Sequence, residues 1–403
     1  MPVLEDYRQF TGRHPETGSV HNILAYQGVI APHTGRPYSE AFLLGVSGGI
    51  ACGFFTFDYA GYPPILALLT RNTFDPLQTM LERMGIVQTV LQTSRPAAGE
   101  KNLLEALENG RPALVWADRL SLPYNAYPDE IHEWDMQPLV VYGLENGIAC
   151  LADRSGQPLQ VPAESLQVAR ARVKKDKFRM VTLDPPDERK LPAAVQQGIW
   201  QCIRLYTEQP PRGSRNNFGF AALQRWADLL TNRRSPQGWE RFFPAGPRLF
   251  AALAGTAYLP GAYGWIAHWG TGPAADRGTC AAFLEEAALV LNKPALGEAA
   301  EGFRQSARLW SELAESLLPD VPLLGEARRL KDRRHELFIA QGGAAREEIH
   351  AINLRLGALR QEAADFPLGG EELVRFRAGL SEQVRRIHDQ ERSAVQALQE
   401  AVM

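Results

Sequence analysis

Three short stretches of this chain gather residue types that can do chemistry. The first, GRHPETGSVHNILAYQG from Gly12 to Gly28, sets His14, Glu16, Thr17, Ser19, His21 and Asn22 around the start of a helix. A helix N-terminus points unpaired N–H groups outward and favours negative charge, so it suits a thiolate or an oxyanion. His14, Glu16 and His21 are the acid–base candidates there. The structural alternative is N-capping by Thr17 or Ser19, with the histidines incidental. The second stretch, PYSEAFLLGVSGGIACGFF from Pro37 to Phe55, carries Gly45, Gly48, Gly49 and Gly53, which let backbone approach backbone or ligand closely. Neither a GxGxxG nor a Walker pattern is present, so no phosphate cradle is indicated. Cys52 in this stretch is either a reactive thiol or a small buried hydrophobe. The third, WDMQPLVVYGLENGIACLADRS from Trp134 to Ser155, puts Gln137 just before one strand and Asp153 near the end of its hairpin partner. An aspartate there can orient a basic side chain; equally, it can pair with Arg154 or cap the next turn.

The elements that must position these residues are legible in outline. Val20, Ile23 and Leu24 share a helical face, and Ser39 is an N-cap before EAFLLGVSGG, with Glu40 in the first turn where the helix dipole favours it. A strand follows from Gly53, then helices over Thr73–Met84 (stopping at Gly85) and Lys101–Asn109. Ala113–Asp118, Pro138–Leu144 and Ile148–Arg154 read as strands, the last two joined by a turn whose Asn146-Gly147 is a strong hairpin signal. A helix followed by antiparallel strands indicates α+β rather than alternating βαβ units. The proline-rich, charged segment Val181–Pro192 reads as a linker, and beyond it AALQRWADLL, AAFLEEAALVL and RLWSELAESLL are amphipathic helices. From Glu326 a long charged hairpin runs on, broken at Pro367–Gly370. Its last arm aligns Leu373, Phe376, Leu380, Val384, Ile387, Ala394 and Leu398 in a near-heptad stripe, which either packs on its own domain or makes a homodimer interface.

With 403 residues, 45% of them hydrophobic and 22% charged, the chain is long enough for two domains that each bury a core without staples. A net charge of −3 and a pI near 6.3 give no reason to expect nucleic acid or an anionic membrane as partner. Cys52, Cys150, Cys202 and Cys280 lie far apart, with neither a CxxC pair nor zinc-ligand spacing. Nothing points to a metal or a cofactor. The acidic start MPVLEDYRQF lacks the features of a signal peptide and the apolar runs are too short to span a bilayer, so a cytoplasmic location is expected.

As a set, the three clusters resemble the N-terminal domain of the butirosin biosynthesis acyl-transferase family, a papain-like, C39-peptidase-like fold. The matching residues are His14-Pro15-Glu16-Thr17, Ser39-Glu40, Gly48-Gly49, Met136-Gln137-Pro138 and Ala152-Asp153-Arg154. Further on, Asn217-Phe218-Gly219, Trp226-Ala227-Asp228 and Phe283–Ala287 are similar to the helical partner domain of unknown function often attached to it. The likeness covers most of residues 10 to 315. It implies an α+β, papain-like domain over 1–185 with an antiparallel sheet, then an all-α domain over 186–403 ending in the long helical hairpin. Two departures stand out. Pro15 occupies the position where the family pattern puts its nucleophilic cysteine, and Gln137 the position of its general-base histidine, leaving Asp153 as the would-be orienting residue. The imidazole of a Cys–His pair draws the thiol toward thiolate; proline supplies no nucleophile, and an amide accepts no proton near neutral pH.

The resemblance implies acyl transfer in a specialised biosynthetic pathway, from an acyl carrier protein thioester or a small-molecule donor to an amine. Cys52 would then be the nucleophile, or His14, His21 and Glu16 would act as acid–base groups, helped by backbone amides at the helix start. The first alternative is a non-catalytic relative that binds a carrier protein, a metabolite or a partner enzyme. The second is a cyclase or isomerase using acid–base groups in the same cleft.

Overall fold

The computed structural model describes residues 2–59, 64–128, 133–175 and 177–403. The chain opens with antiparallel sheet and helix, and continues as a mostly helical region ending in a long helix. It divides into two compact units, each made of three stretches: Met1–Leu43, Leu81–Lys190 and Arg333–Leu354 in the first, and Leu44–Met80, Leu191–Asp332 and Arg355–Met403 in the second. Segments 44–80 and 333–354 therefore depart from a simple division of the chain near residue 185.

The first unit is built on a six-stranded antiparallel sheet. Its strand order is Gln88–Leu91, Met180–Leu183, Ala113–Asp118, Met136–Glu145, Ile148–Ala152, Leu159–Pro162. The Asn146-Gly147 turn joins two of these with φ of 49° and 76°, the left-handed pair that a two-residue hairpin turn requires. Strand Met136–Glu145 is buried along all but its two ends, which requires cover on both faces, and the helix Pro15–Tyr26 packs against it. Met180–Leu183 corrects the linker reading. All four residues are buried, and the strand lies between Gln88–Leu91 and Ala113–Asp118. Its apolar, β-branched character outweighs the charge that begins only at Asp184.

In the second unit, the strands Ile50–Phe57 and Ile65–Arg71 form an antiparallel hairpin. It packs on the helices Gly219–Thr231 and Gly261–Ala267. The long helix Gly370–Val402 lies against Gly219–Thr231 and Pro294–Leu317. There it buries Leu373, Leu380, Val384, Ile387, Ala394 and Leu398, while Phe376 stays half-exposed and Arg377 is buried in its place. The charged segment from Glu326 is more finely divided than a two-armed hairpin. A one-turn 3-10 helix at Gly342–Ala345, opened by Gly342 at φ 55°, separates Leu324–Gln341 from Arg346–Glu362. Among the described residues, no helix is long and apolar enough to cross a membrane.

Candidate functional site

The first cluster is assembled by one carboxylate. Glu40, in the first turn of the helix Glu40–Val46, accepts hydrogen bonds from the backbone N–H of Arg13 (2.6 Å) and of His14 (3.2 Å) and from the Thr17 hydroxyl (2.9 Å). Ser39 caps the same helix through the Phe42 N–H at 2.9 Å. The Ser-Glu pair of the second cluster thus clamps the loop that leads into the first. Two glycines make the approach possible: a Cβ on Gly18 would lie 2.7 Å from the Arg13 nitrogen and 2.9 Å from Gly12.

The helix Pro15–Tyr26 starts with Pro15 at its first position, where a missing N–H costs nothing. Its cap is His14 rather than Thr17 or Ser19, with the imidazole Nδ1 accepting the Glu16 N–H at 3.3 Å. His14 is buried and turned to its own helix. His21 is held at both ring nitrogens, Nδ1 2.6 Å from the Tyr38 carbonyl and Nε2 2.7 Å from the Thr11 hydroxyl. Because a carbonyl can only accept, Nδ1 carries a proton, and in the neutral ring Nε2 is then the nitrogen with the lone pair facing the Thr11 hydroxyl. Glu16 is half-buried in the first turn of the same helix.

The third cluster meets residues that sequence reasoning did not single out. Gln137, paired in register with Ala117, donates through Nε2 to Asp135 at 3.1 Å; its Oε1 is buried and has no partner among the described residues. Asp135 also takes Arg119 at 2.8 Å, and Arg119 in turn reaches the Tyr127 hydroxyl. Burial opposes the Arg119 charge, but Tyr127 and Asp135 outweigh it and hold its pKa above the ordinary range. Asp153 is spent on its neighbour. Its two oxygens accept from Arg154 Nε at 2.9 Å and Nη2 at 3.1 Å, and the Tyr124 hydroxyl donates to it at 3.0 Å. Burial, then the Asp153 charge, push Tyr124 well above its usual value, so its phenol is neutral. For Arg154 the burial penalty is again exceeded, here by Asp153, and its pKa is raised.

The segment 333–354 closes over this region of the first unit. Phe338 stacks on Tyr124 at 6.0 Å between centroids and lies under the Arg154 guanidinium at 5.3 Å. The Ile339 carbonyl takes the Gly156 N–H at 2.8 Å, and Asn353 Nδ2 donates to the Ala126 carbonyl at 2.9 Å. Phe338 is the one of these residues with a signal in sequence, an aromatic in the charged run RRHELFIAQ.

Cys52 belongs to the second unit. It is 1% exposed, and burial pushes its thiol up to about 12, with Arg277 drawing it down only in part. A thiol in that state is neither ionised nor reachable, which is the behaviour of a small buried hydrophobe. The glycines around it serve packing. A Cβ on Gly45 would collide with the Phe283 ring, and one on Gly49 would sit 3.0 Å from Cys202 Cβ. Among the described residues, no group of three or more His, Cys, Asp or Glu could hold a metal ion.

The arrangement therefore brings His14, Pro15, Glu16 and His21 together on one helix, with Gln137 and Asp153 at the strand ends of the sheet that this helix covers. Arg13 links the two groups by donating to the Arg154 carbonyl at 3.4 Å. Cys52 is not part of this constellation. Compared with known proteins, residues 14–154 match the family described as butirosin biosynthesis protein H, N-terminal. Residues 164–322 match a domain of unknown function, DUF4872. No curated protein matches the chain.

Proposed function

We propose, for a chain that belongs to the two-domain family of butirosin biosynthesis protein H, that the first unit is a non-covalent binding module of a biosynthetic pathway rather than a cysteine-dependent acyl transferase. The observation that carries this reading is the state of the three positions that the resemblance aligns with the family's nucleophile, base and orienting residue. They hold a proline at a helix start, an amide bonded to Asp135, and a carboxylate committed to Arg154 and Tyr124. A carboxylate engaged by its own arginine and by a tyrosine hydroxyl is not aimed at an imidazole. The unpartnered Oε1 of Gln137 favours a ligand with an N–H or O–H donor, such as an amide or amine, because a buried acceptor left unmade costs about 1–3 kcal/mol. An acyl carrier protein thioester or a small acyl donor or acceptor fits the family's setting.

A second reading is supported by Thr11. Its exposed hydroxyl faces His21 Nε2, and the Tyr38 carbonyl fixes the tautomer, which is the layout of a hydroxyl nucleophile with an oriented base. Free-thiol release from a panel of acyl thioesters, with and without an amine, separates the two. The binding reading predicts no release above background and ligand-dependent protection against thermal unfolding. Release that disappears in Thr11→Val would support the second reading, and release that persists in that variant would overturn both.

A further inference from the structure

We infer that the helical second unit carries a binding pocket of its own, built for a small organic anion with a flat apolar body. The inference concerns residues outside the first unit and stands whether or not that unit is catalytic. The pocket is an open cavity of about 390 Å³, large enough for a ligand of nucleotide or aryl-acid size. One wall is aromatic. Phe220 lies 5.2 Å from the Tyr206 ring and 5.7 Å from the His388 ring, the latter edge to face, and Phe218 extends the apolar surface. A flat ligand gains both area burial and ring contact on such a wall.

The charges at the cavity are unbalanced toward positive. Arg215 and Arg392 both line it and both are exposed. Arg392 makes no hydrogen bond or ion pair with any described residue, and Arg215 makes a single long contact of 3.4 Å to the Thr207 carbonyl. Glu208, also exposed, is the one carboxylate among the lining residues, so two guanidinium groups face one negative charge. Guanidinium forks bind carboxylate and phosphate oxygens in pairs, which makes these two the anchors for the anionic end. The neutral polar groups add direction. His388 Nδ1 lies 2.9 Å from the Asp389 carboxylate and so carries the proton, while its Nε2 accepts from Gln224 at 3.1 Å. The imidazole, tied to Asp389 and Gln224, serves as a ring of the wall.

Isothermal titration of the full-length protein tests this with four probes: benzoate, phenyl phosphate, inorganic phosphate and the neutral benzyl alcohol. Saturable binding of benzoate or phenyl phosphate is expected, and whichever binds more tightly identifies the anionic group. Benzyl alcohol and inorganic phosphate should bind at least tenfold more weakly, because each lacks one half of the recognised chemistry. The double variant R215A/R392A, at two exposed positions, should weaken binding at least tenfold while its unfolding midpoint stays unchanged. Equal binding of benzyl alcohol, equal binding of inorganic phosphate, unaltered affinity in the double variant, or no saturable response to any probe would each overturn the proposal.

Discussion

Replacing Glu391 in the second unit gives the sharpest test of how that unit is held together. Glu391 and Arg277 are both 0% exposed and meet at 2.6 Å. Glu391 also accepts from Ser306 at 2.9 Å and from Trp310 Nε1 at 2.8 Å. Arg277 spends its remaining donors on the carbonyls of Thr70, Ala275 and Ala51 and on the Tyr206 hydroxyl. Glu391→Ala would leave a buried guanidinium without its counter-charge, and breaking such a pair costs about 3–5 kcal/mol. At about 2–4 °C per kcal/mol for a unit of this size, the melting temperature should fall by about 6–20 °C. Six of the eight tryptophans, Trp200, Trp226, Trp239, Trp265, Trp269 and Trp310, lie in this unit, so tryptophan fluorescence during urea unfolding follows it in the main. Arg277→Met added to Glu391→Ala should recover part of the loss by removing the stranded charge. Burial alone would raise the Glu391 pKa, but Arg277 outweighs it and the value is depressed. Its stabilisation is therefore present above the ordinary carboxylate pKa and lost as pH falls through the depressed one, and the alanine variant should show a flatter acid limb. A loss under about 1 kcal/mol, or a double variant worse than the sum of the singles, would refute this reasoning.

Three further outcomes follow from the same geometry. Gly18→Ala forces a Cβ to within 2.7 Å of the Arg13 backbone, which cannot yield as a side chain would, and should cost about 1–3 kcal/mol by urea denaturation. Glu40→Gln, which replaces the charged acceptor of three hydrogen bonds, should cost about 2 kcal/mol and speed hydrogen exchange at the amides of Arg13 and His14. Cys52, with its thiol pushed to about 12 and its side chain buried, should resist iodoacetamide at pH 8 in the native protein and react on unfolding; prompt native alkylation mapped to Cys52 would contradict its assignment to the core.

Local chemistry was legible in the sequence where a few neighbouring residues decide it. The Ser39 cap, the Asn146-Gly147 turn and the stop at Gly85 (φ 65°) all stand where their residue types place them. What escaped was non-local. Met180–Leu183 takes its partners from Gln88–Leu91 and Ala113–Asp118, and nothing inside those four residues announces that pairing. The glycines at 45 and 49 are equally suited to a ligand or to a helix, and only the presence of Phe283 and Cys202 decides for packing. The candidate site divides in the same way. Its helix start and strand ends follow from motif and period, whereas the arginine that neutralises Asp153 was one of several fates open to it. Phe338, which covers that pair, comes from a segment nearly two hundred residues further on.

The most direct measurement of the central claim is the intact mass of the protein after incubation with a panel of acyl thioesters and rapid acid quench. Non-covalent binding predicts an unmodified mass for every thioester, including those that protect the protein against thermal unfolding. A mass increase equal to the acyl group, mapped to any side chain of the first unit or to Cys52, would contradict it.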